Sequence, residues 1–117
     1  MGHVTAHVLD IAQGKPGAGV QVELFRLKGK LRQLLSTLNT NANGRLDHSL
    51  LEGKEFVKGK YELVFGVADY FRREGIALAN PPFFDSVVIR FGVADPSENY
   101  HVPLLISPWS YSTYRGS

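Results

Sequence analysis

Apolar and polar residues alternate in short runs along most of this chain, and clusters of Gly, Pro, Asn and Asp cut the runs apart. Alternation with a period of two turns one side of a strand toward a core and the other toward water. The first run covers residues 4–10 and stops at Gly14-Lys15-Pro16-Gly17. The second, residues 20–27, sets Val20, Val22 and Leu24 against Gln21 and Glu23. Lys28-Gly29-Lys30 then reads as a tight hairpin into a third strand over 31–38. Asn43-Gly44 suits a turn that needs positive φ. Further strands are expected at 46–51, at 60–66 with Tyr61, Leu63 and Phe65 on one face, at 86–93, at 100–106 and at 109–114.

One segment breaks the period. Asp69 is placed to cap a short helix running to Glu74, and Gly75 can adopt the left-handed conformation that ends one. Seven or eight strands with one short helix describe an all-β sandwich. With 117 residues the whole chain, 1–117, is expected to form a single domain around one core.

Composition narrows the function classes. Hydrophobic residues at 44% and charged residues at 21% are ordinary for a folded globular protein, so disorder is not expected. A formal charge of +2 is only mildly basic, and Lys28, Lys30 and Arg32 lack interleaved aromatics, so they read as a solvated hairpin and no nucleic-acid partner is expected. The absence of cysteine removes disulfides and thiolate ligands. No apolar stretch is long enough to span a bilayer, and the first residues have no basic segment followed by an apolar run; no membrane partner and a cytoplasmic location are expected.

Four histidines, His3, His7, His48 and His101, are the natural place to look for chemistry, because only histidine titrates near neutral pH unaided. The four-residue step from His3 to His7 spans roughly 13 Å on a strand, too far for one zinc ion to be shared. No His-Glu-x-x-His helix, phosphate-binding glycine loop or Gly-x-Ser-x-Gly elbow occurs. In isolation His7 and His101 read first as half-buried strand histidines, satisfied by neighbouring carbonyls, and only second as catalytic groups. Arg45 reads as a surface arginine pairing with Asp47, and Tyr114 to Ser117 as a terminus that frays unless tied down. The aromatic run from Trp109 argues that this end is packed.

Together, four ordered segments point further. Thr5-Ala6-His7-Val8-Leu9-Asp10, Asn41-Ala42-Asn43-Gly44-Arg45, His101-Val102-Pro103-Leu104-Leu105-Ile106-Ser107-Pro108 and Tyr114-Arg115-Gly116-Ser117 resemble, in order, the signatures of the transthyretin-like 5-hydroxyisourate hydrolases. Asn99 and Asp85 stand where relatives often carry histidine and proline, departures that bear on loops.

The resemblance implies a transthyretin-like (prealbumin-like) sandwich assembled as a homotetramer, a dimer of dimers with active sites in the channel between them. It implies hydrolysis of 5-hydroxyisourate, the product of urate oxidation, with His7, Arg45, His101 and Ser117 as the catalytic set and Tyr114, Arg115 and Gly116 shaping the substrate site. Water would attack a ring carbonyl, one neutral histidine acting as base and the arginine stabilising the oxyanion. Ser117 would act through its hydroxyl or a terminal carboxylate. Neither cofactor nor metal is implied. The competing expectation is a small-ligand carrier of the transthyretin type, without catalysis, whose channel would be lined by apolar side chains.

Overall fold

The computed structural model describes residues 1–117. In chain order the elements are β1 (His3–Asp10), β2 (Lys15–Pro16), β3 (Gln21–Lys28), β4 (Leu31–Asn39), β5 (Leu51–Glu52), β6 (Gly59–Phe65), α1 (Val67–Arg73), β7 (Val87–Val93), β8 (Tyr100–Ile106) and β9 (Tyr111–Thr113). A single 3-10 turn, Gly53–Glu55, follows β5. One sheet runs β2-β1-β8-β9 with β5 also on β1, and the other β4-β3-β6-β7. Every pairing is antiparallel except β1 with β8, which are parallel. No helix is long and apolar enough to cross a membrane.

Alternation governs which side chains meet between the sheets. On β1, Val4, Ala6, Val8 and Asp10 are buried, and His3, Thr5, His7 and Leu9 sit half-buried on the opposite face. Val4, Ala6 and Val8 are joined by Val22 and Leu24 of β3, Tyr61, Leu63 and Phe65 of β6, and Leu104 and Ile106 of β8 in one cluster of 20 buried residues. Each fully buried Val, Leu or Phe side chain contributes roughly 1.5–3 kcal/mol by leaving water. Asp10 is buried, and its carboxylate is satisfied: the backbone N–H groups of Ala12 and Gln13, the Gln13 side chain and the Tyr70 hydroxyl all donate to it. Burial and that carboxylate push the Tyr70 phenol well above its usual range. The last residue of the Thr-x-His-Val-Leu-Asp signature thus anchors the end of β1 to α1.

Several expectations need correction. The strand expected at 46–51 does not form. The chain there touches β1 only at its two ends, through a bridge from Arg45 to His7 and through β5 beside His3 and Val4. Between them Asp47, His48 and Ser49 offer no apolar alternation, and Asp47 accepts from the Asn41 side chain at 2.9 Å rather than pairing with Arg45. Asp69 lies inside the first turn of α1, whose N-cap is Gly66, because the helix begins earlier to bury Val67 and Ala68. Lys15 and Pro16, read as part of a turn, pair with Asp10 and Leu9. Seven or eight strands were expected and nine form, the extra pairings being two residues long.

The C-terminal strand is shorter than residues 109–114, and it is held mainly by hydrogen bonds rather than by burial. Thr113 Oγ1 donates to the Pro103 carbonyl at 2.8 Å and the Gly116 N–H to that of His101 at 2.8 Å. Trp109 and Tyr114 remain more than half exposed.

Candidate active site

The site is built on the outer face of the sheet containing β1 and β8. Their register sets Thr5 opposite His101 and His7 opposite Pro103, so alternation sends Thr5, His7 and His101 out on the same face. The two imidazole rings lie 6.4 Å apart, tilted by 30°. Residues 94 positions apart in sequence become neighbours because strands close to opposite ends of the chain lie side by side.

Arg45 arrives by a turn that only glycine fits. Gly44 has φ +75°, and a Cβ there would sit 2.3 Å from the Val8 carbonyl oxygen. That close approach lets the Val8 N–H donate to the Gly44 carbonyl at 2.8 Å, which sets Arg45 beside His7. Asn41 Oδ1 accepts from the backbone N–H groups of Asn43 and Arg45, tying the loop from within. The Arg45 side chain is exposed and forms no ion pair.

A polar cavity of about 250 Å³ opens among His3, Thr5, Arg45, Asn99, His101 and Ser117. Burial, then the nearby Arg45 charge, then His7 itself hold His101 below the usual histidine value. His7 is lowered as well, by burial first and by Arg45 second, with the Asn43 backbone acting in the opposite direction. Both shifts favour the neutral ring, the form in which a histidine accepts a proton. A guanidinium without a counter-ion beside two uncharged imidazoles can receive negative charge that develops on an oxygen placed between them.

Of the seven residues named from sequence, Arg45, His101 and Ser117 line this cavity, and His7 lies outside its lining with its ring 6.4 Å from that of His101. Gly116 bridges to His101 and packs on its ring. Tyr114 and Arg115 line instead an adjoining, more apolar cavity of about 380 Å³ that shares His101. There the Arg115 guanidinium stacks 4.2 Å from the Tyr100 ring centre, donates to the Asn99 carbonyl and pairs with Glu98 at 3.6 Å. His48 is exposed and stands apart from the cavity lining. Thr5 and Asn99 were not proposed as site residues from sequence, and His3 was weighed only as a metal ligand. For His3 and Thr5 the signal was present, since both share the two-residue alternation that places His7 outside the core.

The sequence profile of the HIUase/Transthyretin family matches residues 4–116. A 5-hydroxyisourate hydrolase of Mesorhizobium japonicum is 58% identical over 116 residues, covering 99% of this chain and 93% of that one. The structure of Klebsiella pneumoniae 5-hydroxyisourate hydrolase superposes with a TM-score of 0.83 at 34% identity, each chain covered completely. The crystal structure of an (S)-allantoin synthase superposes with a TM-score of 0.92 at 42% identity over 99% of this chain; this chain spans 44% of the length of that one. The two-sheet architecture is the transthyretin-like fold, and this chain belongs to the HIUase/Transthyretin family.

Proposed function

We propose that this protein hydrolyses 5-hydroxyisourate, and that His7, Arg45, His101 and Ser117 carry the reaction. The observation that supports this most directly is the polar cavity in which Arg45, His101 and Ser117 converge, with the His7 ring 6.4 Å from that of His101. Relatives of high identity and near-complete coverage bear that activity's name.

In this reading neutral His101 takes a proton from a water molecule as the water oxygen attacks a ring carbonyl of the substrate. Arg45 donates hydrogen bonds to the carbonyl oxygen as it becomes a tetrahedral oxyanion. Collapse of that intermediate breaks the ring C–N bond. The proton held by His101 passes to the departing nitrogen, so water's elements are divided between a new carboxyl group, which then releases its proton to solvent, and a new N–H. The product is 2-oxo-4-hydroxy-4-carboxy-5-ureidoimidazoline. His7 orients substrate or water, and the Ser117 hydroxyl supplies a further polar contact. Tyr114, Arg115 and Gly116 border the site and shape its edge. No step calls for a cofactor or a metal ion.

The same reading places the protein in the cytoplasm as one domain over 1–117 that assembles into a homotetramer, with the histidine-bearing sheet faces lining a channel between dimers. The test is the ultraviolet decay of 5-hydroxyisourate freshly made from urate. Wild-type protein should accelerate the decay, and folded His101→Ala should lose roughly 10²- to 10⁴-fold in kcat. Decay at the spontaneous rate with wild type would overturn the hydrolase reading in favour of a ligand carrier.

A further inference from the structure

Resting on that reading, we propose that Thr5 is a positioning residue: its hydroxyl accepts a hydrogen bond from His101 Nδ1–H and so leaves Nε2 as the bare nitrogen that takes the proton from water.

The Thr5 hydroxyl oxygen lies 2.7 Å from His101 Nδ1, the one side-chain hydrogen bond that either residue makes. The contact is built by the register of two neighbouring strands rather than by a loop, since Thr5 and His101 are direct partners across the parallel β1–β8 pair. Threonine is branched at Cβ and stiff about χ1, which holds the hydroxyl in one place.

The opposite edge of the ring is closed as well. Gly116 donates its N–H to the His101 carbonyl at 2.8 Å, and a Cβ on Gly116 would stand 2.8 Å from His101 Cδ2 and 3.0 Å from Pro103 Cγ. A half-turn of the ring about its Cβ–Cγ bond would exchange Nδ1 with Cδ2, lose the bond to Thr5 and set a carbon against a hydroxyl. With Nδ1 on Thr5 and Cδ2 under Gly116, Nε2 is the ring nitrogen without a partner.

The chemistry of the hydroxyl suits the task better than that of a carboxylate. A carboxylate on Nδ1 favours imidazolium and would raise the proton affinity of the ring. A hydroxyl has both a donor and lone pairs, so it receives Nδ1–H from neutral and protonated imidazole alike without adding charge. His101 can then gain and lose a proton at Nε2 while its other nitrogen stays bound.

Two substitutions separate this role from a purely structural one. Thr5→Val keeps the shape and the branching but removes the hydroxyl, and Thr5→Ser keeps the hydroxyl. In the full-length protein, kcat should fall roughly 10- to 100-fold in Thr5→Val with KM nearly unchanged, and Thr5→Ser should recover most of it. The second readout, long-range ¹H–¹⁵N correlation of the His101 ring in neutral solution, does not depend on turnover. Wild type should carry its proton on Nδ1, and Thr5→Val should shift toward the Nε2–H form that free histidine prefers. Wild-type kcat in Thr5→Val, equal losses in both variants, or an Nε2–H ring in wild type would each overturn the proposal. If wild type fails to accelerate substrate decay, the hydrolase reading falls, and the tautomer still decides whether Thr5 sets the ring.

Discussion

Two charged sites, one beside each sheet, are built in opposite ways. On the β4-β3-β6-β7 sheet Glu62 is buried, only 3% exposed, although it belongs to the outward set of β6. Arg32 and Arg90 donate to its two carboxylate oxygens at 2.6 and 3.0 Å, and Arg32 also stacks on Phe25. Burial opposes the charged carboxyl, but the two guanidinium bonds outweigh it and hold the group below its usual range. Beside the β1–β8 pair Arg45 has no counter-ion, and its neighbours are two histidines whose protonation burial and the guanidinium disfavour. A charge compensated inside the protein fixes strands, whereas one left uncompensated is available to a ligand or a transition state. The same residue type is structural in one sheet and catalytic in our reading of the other.

The sharpest way to break that contrast is to remove the uncompensated charge. Arg45→Gln should lower kcat roughly 10²- to 10³-fold while thermal unfolding shifts little, because the side chain is exposed and unpaired. Steady-state rates beside melting curves check this, and a large fall in stability with modest loss of rate would reverse the assignment. On the other sheet the outcome is expected to invert. Glu62→Gln should leave turnover within about two-fold and destabilise the fold by roughly 1–3 kcal/mol in urea unfolding, the scale of a hydrogen bond to a charged group.

Acid titration sharpens the comparison further. The Glu62 carboxyl is lower in the folded state than in the unfolded chain, so its contribution is present above an unfolded value near 4.5 and is lost as pH falls through the folded one. Wild type should therefore lose more stability than Glu62→Gln between pH 5 and the acid end of the transition. For the histidines the sign concerns activity. A base is competent when neutral, and both rings are lowered, so the acid limb of kcat/KM should lie below 6.5. The smallest effect is a second shift: residual activity of Arg45→Gln should show that limb moved upward, since a positive charge that disfavours imidazolium has gone.

Much of this was legible in the order of residues. Alternation located β1, β3, β4, β6, β7 and β8 to within a residue or two at each end, because each strand must show one apolar face to a shared core. It failed at 46–51, where pairing with β1 is set by backbone contacts at Arg45 and Leu50 and the side chains carry no period. It also drew the last strand too long: only Tyr111–Thr113 pair, and Trp109 packs on Phe83, with Tyr111 on Phe84, at the surface. By alternation Glu62 falls on the face of β6 opposite Tyr61, Leu63 and Phe65. Its burial depends on Arg32 and Arg90, which reach it from β4 and β7 and have no local signature.

By itself, then, the sequence determined the strands, the glycine turn that carries Arg45, and the ordered signatures that name the family, because these follow from local pattern and short-range sterics. Which residues touch was decided only by tertiary structure. Thr5 meets His101 and His7 faces it because β1 and β8 pair in parallel, a choice made by the whole core as it closes. The same register gives His101 a hydroxyl partner, and no count along the chain reports it.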